Sequence, residues 1–265
     1  MKHVVITGSS RGIGKALAFE FLKRGYRVSV TGRNLETIDI AVNELIKNTG
    51  NKACHGFVCD LNRLDDLQNL WRGAASLQEI DTWINNAGIN HINHKFHQLD
   101  PEVIGNVVET NIRGTLFASR VALEGLLKQG SGYLYNMEGF GSDGRIMVGM
   151  STYGTSKNAI RYFTNSLVME YKSTPVKIGS IRPGMVVTDM LLEPLQKEPE
   201  KNQRALSVFH TLADPADRVA PWIVSKIIKN KKHGARISWL TTAKISWRFF
   251  SGMFKKRKVK GLPDY

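Results

Sequence analysis

Short apolar runs alternate with longer stretches of helical periodicity along most of this chain. His3 to Thr7 reads as a strand and Gly14 to Lys23 as a helix. The same alternation continues through strands at Arg27–Thr31, Lys52–Cys59 and Thr82–Asn85, with helices at Leu35–Asn48 and Arg63–Ser76. Pro101 to Leu127 carries one long apolar stripe and is expected to be a continuous helical region. A strand at Gly132–Asn136, a helix at Ser151–Tyr171, and strands at Val176–Ile181 and Arg236–Leu240 complete the pattern. Regular β-α-β alternation predicts a single α/β domain over residues 1–241, a Rossmann-type doubly wound parallel sheet with helices on both faces. Its ligand crevice is expected at the carboxyl ends of the strands. The segment rich in Pro, Glu, Lys and Gln from about 190 to 217 interrupts the alternation and is expected to be a lid over that crevice.

The first strand runs into Gly8-Ser9-Ser10-Arg11-Gly12-Ile13-Gly14 and then a helix. Gly8 permits a tight turn, Gly12 lets the backbone approach a pyrophosphate, and Gly14 lets helix pack close to strand. The helix N-terminus offers free N–H groups to phosphate. The second strand ends Thr31-Gly32-Arg33-Asn34, without the acid that would accept from the ribose hydroxyl of NAD. Arg33 and Arg11 are placed instead to pair with a 2′-phosphate, so the expected cofactor is NADP(H).

Four further blocks, in order, make the chain resemble the short-chain dehydrogenase/reductase family. They are Asp60 after the third strand, Asn85-Asn86-Ala87-Gly88 after the fourth, Tyr153-x-x-x-Lys157, and Pro183-Gly184-Met185-Val186-Val187-Thr188. The resemblance implies an oxidoreductase acting between an alcohol and a carbonyl. It assigns the cofactor to Gly8, Ser10, Arg11, Gly12, Ile13, Gly14, Arg33, Asp60, Leu61, Asn86, Ala87, Gly88, Tyr153, Lys157, Pro183, Gly184, Val186 and Thr188. Tyr153 and Lys157, four apart on a helix, share a face. The ammonium is expected to lower the phenol's pKa and fit Tyr153 as acid and base, with the lysine also holding the nicotinamide ribose by resemblance. Asn111 matches the family's water-holding asparagine.

The family's substrate-orienting serine is displaced. Thirteen residues before Tyr153 stands Phe140, and anchoring on Asn136 puts Gly139 in the slot. The run from Asn136 to Ser142 resembles the chlorophyll b reductase-like branch, which points to Ser142 as the substrate-oxygen donor. A turn serine, or Glu138 in the polar role, is the alternative. Met147, Val148, Met150, Met185, Met190, Leu191, Leu192 and Leu195 suggest an apolar acceptor. A hydroxysteroid or bile-acid-like polycycle is favoured, with a chlorophyll-type or other aldehyde as the alternative. A cofactor sensor without turnover, or a membrane-associated interaction protein, is the reading of another class.

Charge alters the picture only at the end of the chain. The net charge is +14, but from Lys226 onward twelve Lys/Arg face one acid, Asp264, and the rest is nearly balanced. A uniformly basic nucleic-acid surface is not the pattern. In a tail spanning 242–265, Lys244, Arg248, Ser251 and Lys255 share one narrow helical face and Ile245, Trp247, Phe249, Phe250, Met253 and Phe254 the other. A peripheral membrane helix through 242–258, a helix packed on protein, and a disordered tail all remain open. The chain enters its first strand at once, which leaves no room for a signal peptide, and Cys54 and Cys59 read as reduced core thiols. A cytoplasmic homodimer or homotetramer is expected, the assembly by resemblance. His91, His94 and His97 read as loop residues near the crevice rim, one of them a candidate for touching substrate.

Overall fold

The computed structural model describes residues 1–91, 94–197, 203–254 and 257–263. Seven parallel strands form the central sheet: β1 (His3–Ile6), β2 (Arg27–Gly32), β3 (Cys54–Val58), β4 (Thr82–Asn85), β5 (Tyr133–Met137), β6 (Lys177–Arg182) and β9 (Ala235–Ser238). Their order across the sheet is β3-β2-β1-β4-β5-β6-β9. The chain reverses direction across the sheet between β1 and β4, which pair in register through Val4–Thr82 and Ile6–Ile84. This is the doubly wound sheet expected, and its crevice lies at that switch point.

Period-two alternation puts each strand's side chains on opposite faces. Val4 and Ile6 enter one core with Leu17, Phe21 and Ile223, from α1 (Gly12–Lys23) and α9 (Ala216–Lys229). Val5, between them, enters the other core with Leu67, Ala118, Leu126 and Leu167. These come from α3 (Leu64–Leu77), α5 (Thr115–Gln129) and α6 (Ser151–Glu170). Burying both faces explains why the strands read as continuous apolar runs. α2 (Leu35–Thr49) is started by Asn34, whose side chain accepts from Thr37 N, and stopped by Gly50 in the left-handed region.

Two expected elements differ. The helical region from Pro101 is interrupted: α4 (Pro101–Val108) is followed by a π-helical turn over Glu109–Gly114 before α5 begins. An apolar stripe survives a one-turn widening, so periodicity does not reveal it. The region around 190–217 is structured where described: α7 (Asp189–Lys197), α8 (Gln203–Leu212), and β8 (Ala213–Pro215) paired with β7 (Met185–Val187) in a small second sheet. The lid's expected residues 198–202 lie outside the described ones.

The tail forms α10 (Thr242–Phe254), with the expected hydrophilic face turned inward. Arg248 is 7% exposed, whereas Trp247 and Phe250 are 67% and 60% exposed. The reason is Asp214 on β8, a fully buried carboxylate that pairs with Arg248 and Arg257. Val259 N then donates to His210 Nδ1 on α8, and Leu262 packs against Leu206 and Phe209. Residues 242–263 thus pack on α8 and β8 where described, and Lys255 of the predicted face lies outside the described residues, as do the side chains of Leu195, Met253 and Phe254. Among the described residues, no helix is long and apolar enough to cross a membrane. Cys54 and Cys59 are buried free thiols, both pushed up to about 12 by burial.

Candidate active site

The turn from β1 to α1 is built on close backbone approaches. Gly8 has φ +60°, and a Cβ there would stand 2.8 Å from Ala87. A Cβ at Gly14 would stand 2.5 Å from Asn86 Nδ2 and 2.6 Å from Gly8 O. Both glycines are therefore sterically required, one for its conformation and one for packing. Asn86 Nδ2 donates to Thr7 O and Gly8 O, and the backbone N–H groups of Asn86 and Ala87 donate to Thr7 Oγ1. The block after β4 is in this way stitched to the glycine turn.

α1 begins at Gly12, two residues earlier than expected, and Arg11 precedes it without a side-chain cap. Its first N–H groups, including that of Ile13, face the turn unclaimed by a cap, as a phosphate site requires. Gly12 lies beneath Thr188, whose Cγ2 would be 3.6 Å from a Cβ there. The Pro183–Thr188 block is thereby brought over the glycine turn, aided by Gly184 at φ +76°. Val186 is buried on β7 and Thr188 half-buried.

At the end of β2, Ser10 Oγ lies 3.2 Å from where a Gly32 Cβ would be, so the glycine turn meets the strand end. Arg11 and Arg33 are both exposed, and among the described residues neither guanidinium has a hydrogen-bond or ion-pair partner. Asp60 is half-buried, with its Oδ1 accepting from Asn62 N, and Leu61 is buried against Gly114. Cradle, free guanidiniums and helix N-terminus fit a dinucleotide with a 2′-phosphate.

Tyr153 and Lys157 project from the first turns of α6 toward the end of β5. Tyr153 is 9% and Lys157 5% exposed. Lys157 Nζ lies 3.5 Å from Met137 O and 5.7 Å from the Tyr153 ring centroid. The π-helical turn presents Asn111, fully buried, whose Nδ2 donates to Ile89 O and Ser156 Oγ and whose Oδ1 accepts from Ile89 N. A Cβ at Gly88 would stand 3.1 Å from Asn111 Oδ1 and 3.2 Å from Lys157 Nζ, so this glycine keeps the space between them open.

Electrostatically the pair differs from expectation. Burial pushes the Tyr153 phenol up to about 12 and the Lys157 ammonium down to about 8. In the protein alone, desolvation of both charged forms outweighs their mutual attraction. Tyr153 is held protonated at neutral pH.

Ser142 is fully buried and its hydroxyl donates to Glu138 Oε2 at 2.9 Å. Glu138 is 3% exposed and also paired with Arg236 of β9 at 2.6 Å. The residue beside the tyrosine is Gly139, where a Cβ would stand 2.6 Å from Tyr153 Oη. Arg161, donating to Ser142 O, and Arg182, paired with Asp143, hold the loop in place.

Two further polar atoms were not anticipated. Asn90 Oδ1 and Thr152 Oγ1 are buried, and among the described residues have no hydrogen-bond partner. Asn86 Oδ1 shares that condition. Buried polar atoms of this kind await a ligand or solvent, and only adjacency to the recognised blocks could have flagged them. His91 is buried, His94 half-buried, and His97 exposed in a short 3-10 turn. On the crevice side, Ile146 and Val148 are 96% and 81% exposed just before α6.

Known proteins share this arrangement. The family model for short chain dehydrogenases matches residues 2–199. A probable chlorophyll(ide) b reductase of Arabidopsis thaliana, described as chloroplastic, is 34% identical over 261 residues, covering 92% of this chain and 51% of that protein. The chain thus spans about half the length of that relative. A chlorophyll(ide) b reductase of Oryza sativa subsp. japonica is 34% identical over 259 residues, covering 94% of this chain and 74% of that one. The crystal structure of levodione reductase superposes with a TM-score of 0.83 at 21% identity, covering 92% of this chain and 98% of that one. Glycine cradle, buried Tyr-Lys pair, helix asparagine and family match agree, and this chain belongs to the short-chain dehydrogenase family.

Proposed function

We propose that this protein is an NADP(H)-dependent reductase that converts the carbonyl of a bulky apolar substrate to an alcohol. The observation that carries the reading is the buried pair of Tyr153 and Lys157, with Lys157 Nζ 5.7 Å from the Tyr153 ring centroid and 3.5 Å from Met137 O. When bound, the nicotinamide supplies the hydride. Tyr153 donates the proton to the oxygen on which negative charge develops. Lys157, buried and positive below about pH 8, stabilises the phenolate left behind. Asn111 fixes the backbone of Ile89 against α6 and holds the lysine's surroundings in place. Gly139 leaves room at the phenol, so the substrate oxygen approaches Tyr153 without a neighbouring hydroxyl.

Cofactor choice rests on two guanidiniums without partners among the described residues, Arg11 before α1 and Arg33 after β2. NADPH or NADP accompanies several proteins of this fold, among them the actinorhodin polyketide ketoreductase, whose TM-score is 0.80 at 23% identity. The exposed Ile146, Met147, Val148 and Met190 suit an extended apolar ring system. A hydroxysteroid finds no support among the relatives. Their names favour a carbonyl on a chlorophyll-type tetrapyrrole, so that reading is placed first. Self-association through α5 and α6 is supported by an apolar groove lined by Leu116, Phe117, Leu123, Leu127 and Phe163.

The test is NADPH consumption with three acceptor classes: chlorophyll(ide) b-type aldehydes, steroid ketones and small aldehydes. The tetrapyrrole should have a kcat/KM at least about tenfold above the others, the scale of one well-used contact. Faster turnover of steroids would overturn the substrate assignment, and no consumption with any carbonyl would overturn the reductase reading.

A further inference from the structure

Reductase chemistry leaves one cluster of charge unexplained. A cavity of about 180 Å3 lies among α8, α9 and α10, lined by Arg218, Lys244, Trp247, Arg248, Ser251 and Arg257, among others. Four of these residues are cations. The carboxylate beneath them is Asp214, fully buried on β8.

Asp214 is already saturated. Its Oδ2 accepts from Arg248 at 2.6 Å and from Trp239 Nε1 at 2.7 Å, and its Oδ1 pairs with Arg257 at 2.5 Å. Arg248 and Arg257 are further fixed by donating to Leu212 O and Thr211 O. The other two cations are not engaged in this way. Arg218 is 3.7 Å from Asp214 Oδ1, beyond hydrogen-bond range. Lys244 Nζ sits 3.2 Å from the Trp239 ring centroid, and among the described residues it has no hydrogen-bond acceptor. Burial first, then the neighbouring Arg248, pushes its ammonium down to about 8. Concentrating four cations around one carboxylate costs free energy unless a further anion joins them. The geometry offers that anion a place: two fixed guanidiniums as a floor, and two cations with donors to spare.

We propose that this cavity binds a phosphate-type oxyanion, with Arg218 and Lys244 donating to it. The same chemistry could come from a lipid headgroup or from a free phosphate. Trp247, on the cavity wall, is 67% exposed. An exposed indole beside a cationic pocket matches a headgroup at a membrane interface, and a free phosphate needs no such side chain.

The experiment uses the full chain with saturating NADPH, so that phosphate is not read out at the dinucleotide cradle. Inorganic phosphate is titrated by calorimetry, and co-sedimentation is measured with phosphatidylglycerol vesicles against phosphatidylcholine vesicles. The wild type should bind phosphate or the anionic vesicles. The double variant Arg218→Gln, Lys244→Gln should bind at least tenfold more weakly with unchanged NADPH affinity, and Lys244→Arg should retain binding. Vesicle binding competed by inorganic phosphate assigns a headgroup, and phosphate binding without vesicle binding assigns a free anion. Absence of both in the wild type, or equal binding by the double variant, overturns the proposal. Should the double variant fail to fold, Lys244→Gln alone carries the comparison.

Discussion

The Tyr153 hydroxyl faces the bare backbone of Gly139 so closely that a Cβ on that residue would stand 2.6 Å from the phenolic oxygen. The same Cβ would be 3.0 Å from Lys157 Cγ. The phenol and the stem of the lysine are thus both set against a glycine. Gly139→Ser is expected to displace Tyr153 and lower kcat by about tenfold to a hundredfold, the scale of an ångström's misplacement at a reacting centre. NADPH affinity should be little changed. Steady-state kinetics with cofactor titration checks this, and a faster Gly139→Ser enzyme would show that the site merely lacks a serine.

Ser142→Ala, by contrast, should leave turnover per folded molecule intact. Its hydroxyl is buried and donates to Glu138, which also holds Arg236. Removing one such hydrogen bond costs about 1 to 3 kcal/mol of stability. Denaturant unfolding run beside the kinetics separates the two effects. A large fall in kcat without loss of stability would return the serine to the crevice.

Lys157 gives the fold a pH-dependent cost. Its ammonium titrates at about 8 in the folded protein against 10.5 ordinarily, because of burial. The unfolded chain therefore binds more protons between those values, and stability rises with pH across that window. The cost is full below pH 8 and gone above 10.5, and at pH 7 amounts to about 3 kcal/mol. Lys157→Met should be inactive yet more stable at pH 7, with the advantage fading toward pH 10. Urea unfolding at pH 7 and pH 10 measures it, and a variant less stable than wild type at pH 7 would contradict the burial argument.

Arg33→Asp should weaken NADPH binding at least about tenfold and leave NADH binding unchanged or improved. The basis is an exposed guanidinium after β2 that has no partner among the described residues. Fluorescence titration with both dinucleotides decides it. Equal weakening toward both would remove Arg33 from the 2′-phosphate site.

Much of this was readable in the chain because parallel strands buried on both faces announce themselves as apolar runs, as Val4-Val5-Ile6 does. The glycine cradle was readable for a related reason: Gly8 and Gly14 are forced by contacts that allow no other residue. What escaped lies where one pattern serves two structures. The stripe through Val107 and Ala118 is the same whether or not a π-turn intervenes at Asn111. The fate of the tail stayed open because periodicity puts Arg248 on one face of a helix but does not say which face turns inward. That choice was made by Asp214, more than thirty residues earlier on β8. The Ser142–Glu138–Arg236 chain was not readable either, because Arg236 stands on β9, far from the serine in sequence.

Hydride transfer from NADPH with Tyr153 as proton donor is read out with NADPH carrying deuterium at both C4 positions of the nicotinamide, supplied with the best tetrapyrrole aldehyde and followed by mass spectrometry of the alcohol. Wild type should place one deuterium on the new carbinol carbon, and Tyr153→Phe should bind the cofactor but lose at least about a hundredfold in rate. An alcohol formed without label, or a Tyr153→Phe enzyme turning over at the wild-type rate, would contradict it.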